Sequence, residues 1–183
     1  MEQKQNITLT KRNFAVKDLT LSALCIALVF IATKFINIRL PISVNGGLIH
    51  LGNVMLFSIS ILFGKKKGAI AGAFGMAIFD LLSGWVIWAP FTFIVRGVMG
   101  YIIGSIANAK NRNGEKLSWN LLGITLAGIW MIFGYYITEI AIYGNWLAPV
   151  TSIPGNIIQI VFGAILGIPL AASLIKLKIK NFV

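Results

Sequence analysis

Long apolar runs alternate with short polar stretches along nearly the whole chain, falling at about 18–36, 51–63, 68–84, 90–109, 119–143 and 155–175. A helix needs roughly 20 such residues to cross a bilayer, and only the run at 51–63 is short unless it begins in the preceding connection. The pattern predicts an all-α membrane protein of six transmembrane helices, a single integral-membrane domain over 1–183 with residues 1–17 as a basic arm. The breaks carry turn chemistry: Pro41 and Gly46-Gly47 in the stretch NIRLPISVNGGLIH, a GKKKG turn after the second run, and two prolines in GNWLAPVTSIPG. In the third run Gly68 and Gly72, with Ala69, Ala73 and Ala77, form small-residue stripes suited to close helix contact. No internal repeat suggests the inverted halves of a secondary transporter.

Composition agrees with that pattern. Of 183 residues 57% are hydrophobic and 11% charged, less than half the roughly 25% of a soluble domain. The net charge of +11 acquires meaning from its distribution. Lys4, Lys11, Arg12 and Lys17 precede the first run; Lys65, Lys66 and Lys67 follow the second. Lys110, Arg112 and Lys116 follow the fourth, and Lys176, Lys178 and Lys180 close the chain. Only Lys34 and Arg39 fall around the first of the other connections. This alternation is the positive-inside pattern and puts both termini in the cytoplasm. It does not describe a nucleic-acid groove, which would interleave basic and aromatic residues. Cys25 stands alone, so an internal disulfide and a cysteine metal site are both excluded, and no metal or cofactor is expected. The basic N-terminus leads into a full-length span with no small-residue cleavage site, unlike a cleavable signal. GKKKG lacks the spacing and hydroxyl residue of a phosphate loop, so any ATP hydrolysis that drives this protein occurs elsewhere.

The polar residues inside the runs are the candidate chemistry. Asp80 lies twelve residues into the third run, ~18 Å along a helix, and Arg96 lies six past Pro90, ~9 Å down the returning one. Both depths fall in the outer half of the bilayer, so the two either pair with each other or each meet a ligand. Ionisable groups at such depth are expensive and read as functional. With the topology assigned, Asn45, His50, Asn53, Trp88, Tyr135, Glu139, Asn156 and Gln159 collect at the same outer end. Tryptophan and tyrosine also serve as interface anchors, and an Asp80–Arg96 pair could be structural. The amides and Glu139 have no anchoring role. A cup with two acids, one guanidinium, amides and flat rings suits a small planar heterocycle. The inner halves are too apolar for a continuous channel. Two other readings remain: a small membrane enzyme acting on lipid, with Asp80 and His50 as its pair, and a ligand-free assembly subunit.

Three stretches resemble a known family. GGLIHLGN at 46–53, FGKKKGAIAGAFGMAIFDLLSGW at 63–85 and WAPFTFIVRGVMGYIIG at 88–104 are similar to the substrate-capture (S) components of energy-coupling factor (ECF) vitamin transporters. The branch is that of riboflavin-type and pyridoxine/hydroxymethylpyrimidine-type S components. The resemblance implies a multi-pass protein of a prokaryotic cell membrane that catalyses no reaction and binds one water-soluble vitamin in an outward pocket roofed by the first outer loop. Pyridoxine or hydroxymethylpyrimidine is the first expectation, then riboflavin or thiamine. It also implies partners: a membrane coupling subunit and two cytoplasmic ATPases. The family's first helix typically docks on the coupling subunit through Ala-x-x-x-Ala, which Ala23 and Ala27 match. The chain departs from the branch at Asn53, where Asp is expected after IHLG, and at Arg96, where Lys is common.

Overall fold

A computed structural model describes residues 2–35, 37–39 and 48–181. Among them are six α-helices: α1 (Glu2–Phe35), α2 (Gly52–Phe63), α3 (Lys65–Leu82), α4 (Ala89–Asn108), α5 (Leu117–Tyr143) and α6 (Ile153–Lys176). Among the described residues four helical segments, Val16–Phe35, Ala89–Asn111, Leu117–Tyr143 and Ala148–Lys176, are long and apolar enough to cross a membrane. At 12 residues α2 is ~18 Å long, and α3 opens with three lysines.

Three expectations are corrected. The arm at 1–17 is not separate, because α1 runs back through it to Glu2. The GKKKG turn shrinks to one residue: Gly64, at φ 83 and ψ −173, takes a conformation that essentially only glycine tolerates, and the lysines are already in α3. The connection between α1 and α2 adds a small β ladder to the helices of the described residues, with β1 (Asn37–Arg39) antiparallel to β2 (Leu48–His50) and Asn37 opposite His50.

The helices pack through small residues and leave large apolar ones outside. On α6 the buried positions are Gln159, Gly163, Gly167 and Ala171, four apart, while Ile157, Val161, Ile165 and Leu166 are exposed. That inverts the soluble pattern, as expected where lipid is as apolar as the core and contact area drives association. A Cβ on Gly163 would come within 2.8 Å of the Asn53 Cβ, so glycine there brings α2 and α6 together at the level of Asn53. The α3 and α4 backbones likewise meet at Gly68 and Gly100, and a Cβ on Gly72 would sit 2.5 Å from the Arg96 carbonyl oxygen. The stripes seen in the sequence thus hold the Arg96 backbone against α3. A core of Cys25, Val29, Leu56, Phe57, Ile61, Met99, Ile103 and Met131 fills the middle.

The two ends differ chemically. At one, Asn108 Nδ2 donates to the Ile61 carbonyl (3.0 Å), and Lys67 Nζ donates to the Asp18 carboxylate (2.7 Å) and the Ser22 hydroxyl (2.6 Å). This end gathers Lys65–Lys67, the connection with Lys110 and Arg112, and the close of α6. The other end holds β2, the Ser83–Trp88 turn, and the 3-10 turn at Ala148–Ser152 leading into α6.

Candidate functional site

The non-lysine end contains a cavity of about 120 Å³. Its polar lining includes His50 from β2, Asp80 from α3, Arg96 from α4, Tyr135 and Glu139 from α5, and Asn156 and Gln159 from α6. Trp88, just ahead of α4, supplies an aromatic wall. Eight of the ten positions picked from the sequence therefore meet in one place. Asn53 lies immediately behind the lining, fully buried and bonded to two lining residues. Asn45 lies outside the described residues.

Arg96 is the hub, and it is 3% exposed. Nη1 donates to Asn53 Oδ1 (2.7 Å), Nη2 to Gln159 Oε1 (2.7 Å) and Nε to the Tyr135 hydroxyl (3.0 Å). Nη1 also points at the Met131 sulfur, 3.1 Å away. Asn53 Nδ2 in turn donates to Gln159 Oε1 (3.1 Å), closing a ring of amides around the guanidinium. The direct Asp80–Arg96 ion pair that equal depth allowed is not formed: among the described residues the ion pair is Lys67–Asp18. Rise along a helix fixes depth but not azimuth, and α4 turns its guanidinium towards α2, α5 and α6. Arg96 Cζ lies 5.1 Å from the Tyr135 ring centre, and the Trp88 ring centre lies 6.2 Å from those of both Tyr135 and Tyr143.

The two carboxylates sit differently. Glu139 is buried and its Oε2 accepts from the Ser152 hydroxyl at 2.9 Å. Asp80 is buried on α3, and its Oδ2 has no hydrogen-bond partner. Sequence reasoning missed Thr33, Met76, Phe79, Thr92 and Ser152 in the lining. Their types are ordinary in apolar helices, and Thr33 already spends its hydroxyl proton on the Val29 carbonyl (2.7 Å).

His50 closes the cavity from β2. Its Nδ1 accepts the Gly52 backbone N–H at 3.1 Å, leaving the proton on Nε2. Burial, with the Arg96 charge adding to it, pushes this imidazole down to about 3 from its ordinary 6.5. The unfolded chain therefore takes up a proton below about pH 6.5 that the folded chain refuses, so folded stability is lost as pH falls from 6.5 towards 3. Between pH 7 and pH 5 wild type should lose about 2 kcal/mol more than His50→Gln, read from thermal unfolding in detergent. Parallel pH curves for the two proteins would contradict this.

The sequence model of the ECF-type riboflavin transporter S component matches residues 13–176. An uncharacterised protein of Pyrococcus woesei is 34% identical over 130 residues, 71% of this chain and 84% of its own length. The thiamine precursor transporter HmpT of Lactococcus lactis subsp. cremoris is 29% identical over 169 residues, 92% of this chain and 94% of its own. The match extends over nearly the full helical bundle and both faces of the cavity. The chain belongs to the ECF-type riboflavin transporter S-component family, as a membrane substrate-binding subunit for import of a vitamin or vitamin precursor.

Proposed function

We propose that the chain captures a water-soluble vitamin precursor from outside the cell, with hydroxymethylpyrimidine ahead of pyridoxine, riboflavin and thiamine. The observation that carries this is the convergence of Asp80, Arg96, Glu139, Asn156 and Gln159 with Trp88 and Tyr135 on one cavity at one end of an apolar bundle. Buried ionisable groups in such a bundle are costly unless a site employs them. The substrate order follows the Lactococcus relative, a thiamine precursor transporter whose match spans nearly the whole of both chains.

The lysine-rich end is the cytoplasmic one by the positive-inside rule, which puts both termini inside and the cavity outside. All six helices cross the cell membrane, α2 and α3 as a tightly joined pair. The chain catalyses no reaction; a coupling transmembrane subunit and two cytoplasmic ATPases drive import. Docking on α1 is supported by exposure: Ala23 is exposed and Ala27 half-buried, while α1 packs inward through Ser22, Cys25, Val29 and Thr33.

Purifying the chain alone and identifying by mass spectrometry what comes with it tests the capture reading. A heterocyclic vitamin or precursor near one-to-one is expected. Lipid alone, together with no calorimetric binding of any of the four candidates, would sink it.

A further inference from the structure

We infer that Asp80 selects the substrate: its carboxylate accepts a hydrogen bond from an amino group on a single-ring heterocycle, so the site prefers aminated single rings to their oxo counterparts and to the three-ring flavin. This rests on the reading of the cavity as the capture site.

The first support is the orphaned oxygen. Asp80 is 9% exposed, lines the cavity, and has a buried Oδ2 with no partner. An ionised carboxylate only accepts hydrogen bonds, and a buried acceptor without a donor is strongly disfavoured. Something that donates is called for at that oxygen.

The second support is that the nearby protein donors are already committed. Arg96 Nε–H donates to the Tyr135 oxygen at 3.0 Å. The Tyr135 and Thr92 hydroxyls lie 3.3 Å apart, and either can donate to the other. Asp80 is left with a buried Oδ2 that no described donor meets. The Arg96 guanidinium is likewise engaged with Asn53 and Gln159, so it does not offer a free fork to an anionic or carbonyl-edged ligand. Among the described residues the lining sets the Asp80 and Glu139 carboxylates beside the Arg96 guanidinium.

The third support is size. The cavity measures about 120 Å³, and an engineered protein cavity of about 150 Å³ holds one benzene. That is the scale of one ring and well short of a fused three-ring system. Selection against flavin is therefore built into a chain whose family is described by riboflavin.

The test is calorimetry on the intact purified chain with four probes: hydroxymethylpyrimidine, which carries a ring amino group; its analogue with a ring carbonyl in place of that amino group; pyridoxine; and riboflavin. Wild type should bind the amino ring at least about a hundredfold tighter than the oxo ring, because a buried acceptor rejects an analogue that cannot donate to it. Asp80→Asn, nearly the same shape, presents a donor as well and should cut the amino-over-oxo ratio at least about tenfold. Equal wild-type affinity for amino and oxo rings, or riboflavin binding as tight as the amino ring, overturns the inference while leaving vitamin capture standing. An unchanged ratio in a folded Asp80→Asn does the same. Failure of wild type to bind any of the four removes the capture reading itself.

Discussion

Arg96→Gln should lower unfolding stability in detergent by about 3 kcal/mol or more and weaken substrate binding at least about a hundredfold. Among the described residues the guanidinium donates to Asn53 Oδ1, and it shares Gln159 Oε1 with the Asn53 amide. A shorter amide at 96 cannot reach three helices at once, so acceptors on α2 and α6 and the Tyr135 phenol on α5 lose their common partner. Each buried acceptor left unmet costs about 1–3 kcal/mol. The cavity also loses the guanidinium charge that lines it beside Asp80 and Glu139. Arg96→Lys should recover part of the stability and little of the affinity: an ammonium restores the charge but not the planar fork that spans Asn53, Gln159 and Tyr135. Thermal unfolding and calorimetry on the same preparations measure the two effects. Wild-type melting by Arg96→Gln would mean that the amide ring is not held by the guanidinium.

The same network explains why Asn53 and Arg96 belong together. Asp and Lys at these positions, the residues common in the resembling branch, would form a point-charge pair. Here the amide on α2 is neutral and the guanidinium compensates through number of hydrogen bonds, bonding α2, α5 and α6 simultaneously. The positive charge is then not cancelled by a residue on α2, which leaves it to balance the cavity's two carboxylates through space.

Much of this site was legible because a polar side chain in an apolar run has few bland explanations. Asp80, Arg96, Glu139, Asn156 and Gln159 announced themselves in that way, and helix rise placed Asp80 and Arg96 at compatible depths. The partners were not legible. Whether Arg96 meets Asp80 or Gln159 depends on the rotation of α4 about its axis, and in a membrane bundle hydrophobicity does not report that rotation, because both faces are apolar. The signal that does report it is residue size: Gly68, Gly72, Gly163 and Gly167 mark the faces in contact. Thr92 and Ser152 stayed hidden because a hydroxyl in an apolar helix commonly bonds its own backbone and attracts no notice. The helix boundaries moved where a single glycine sufficed for a turn, as at Gly64.

Ala23→Leu with Ala27→Leu should leave substrate binding within about twofold of wild type and reduce uptake at least about tenfold. The α1 face that meets the bundle is built from Ser22, Cys25, Val29 and Thr33, with Val29 seated against Gly75. Ala23 stands outside that contact, and neither alanine lines the cavity. Leucine on a lipid-facing helix surface is well tolerated, so the fold and the pocket are expected to survive. What two isobutyl groups remove is the shallow groove that lets a second helix approach the α1 backbone closely, and helix association in membranes depends on that approach. The Lys67 contacts to Asp18 and Ser22 pin the same stretch of α1 to α3, one turn from Ala23, so the groove is presented on a fixed helix rather than a loose one. The measurement is calorimetric affinity of the isolated chain beside substrate uptake by the complete importer in proteoliposomes. Wild-type uptake by the double variant would refute α1 as the docking face; loss of binding in the isolated chain would instead show that the alanines support the fold.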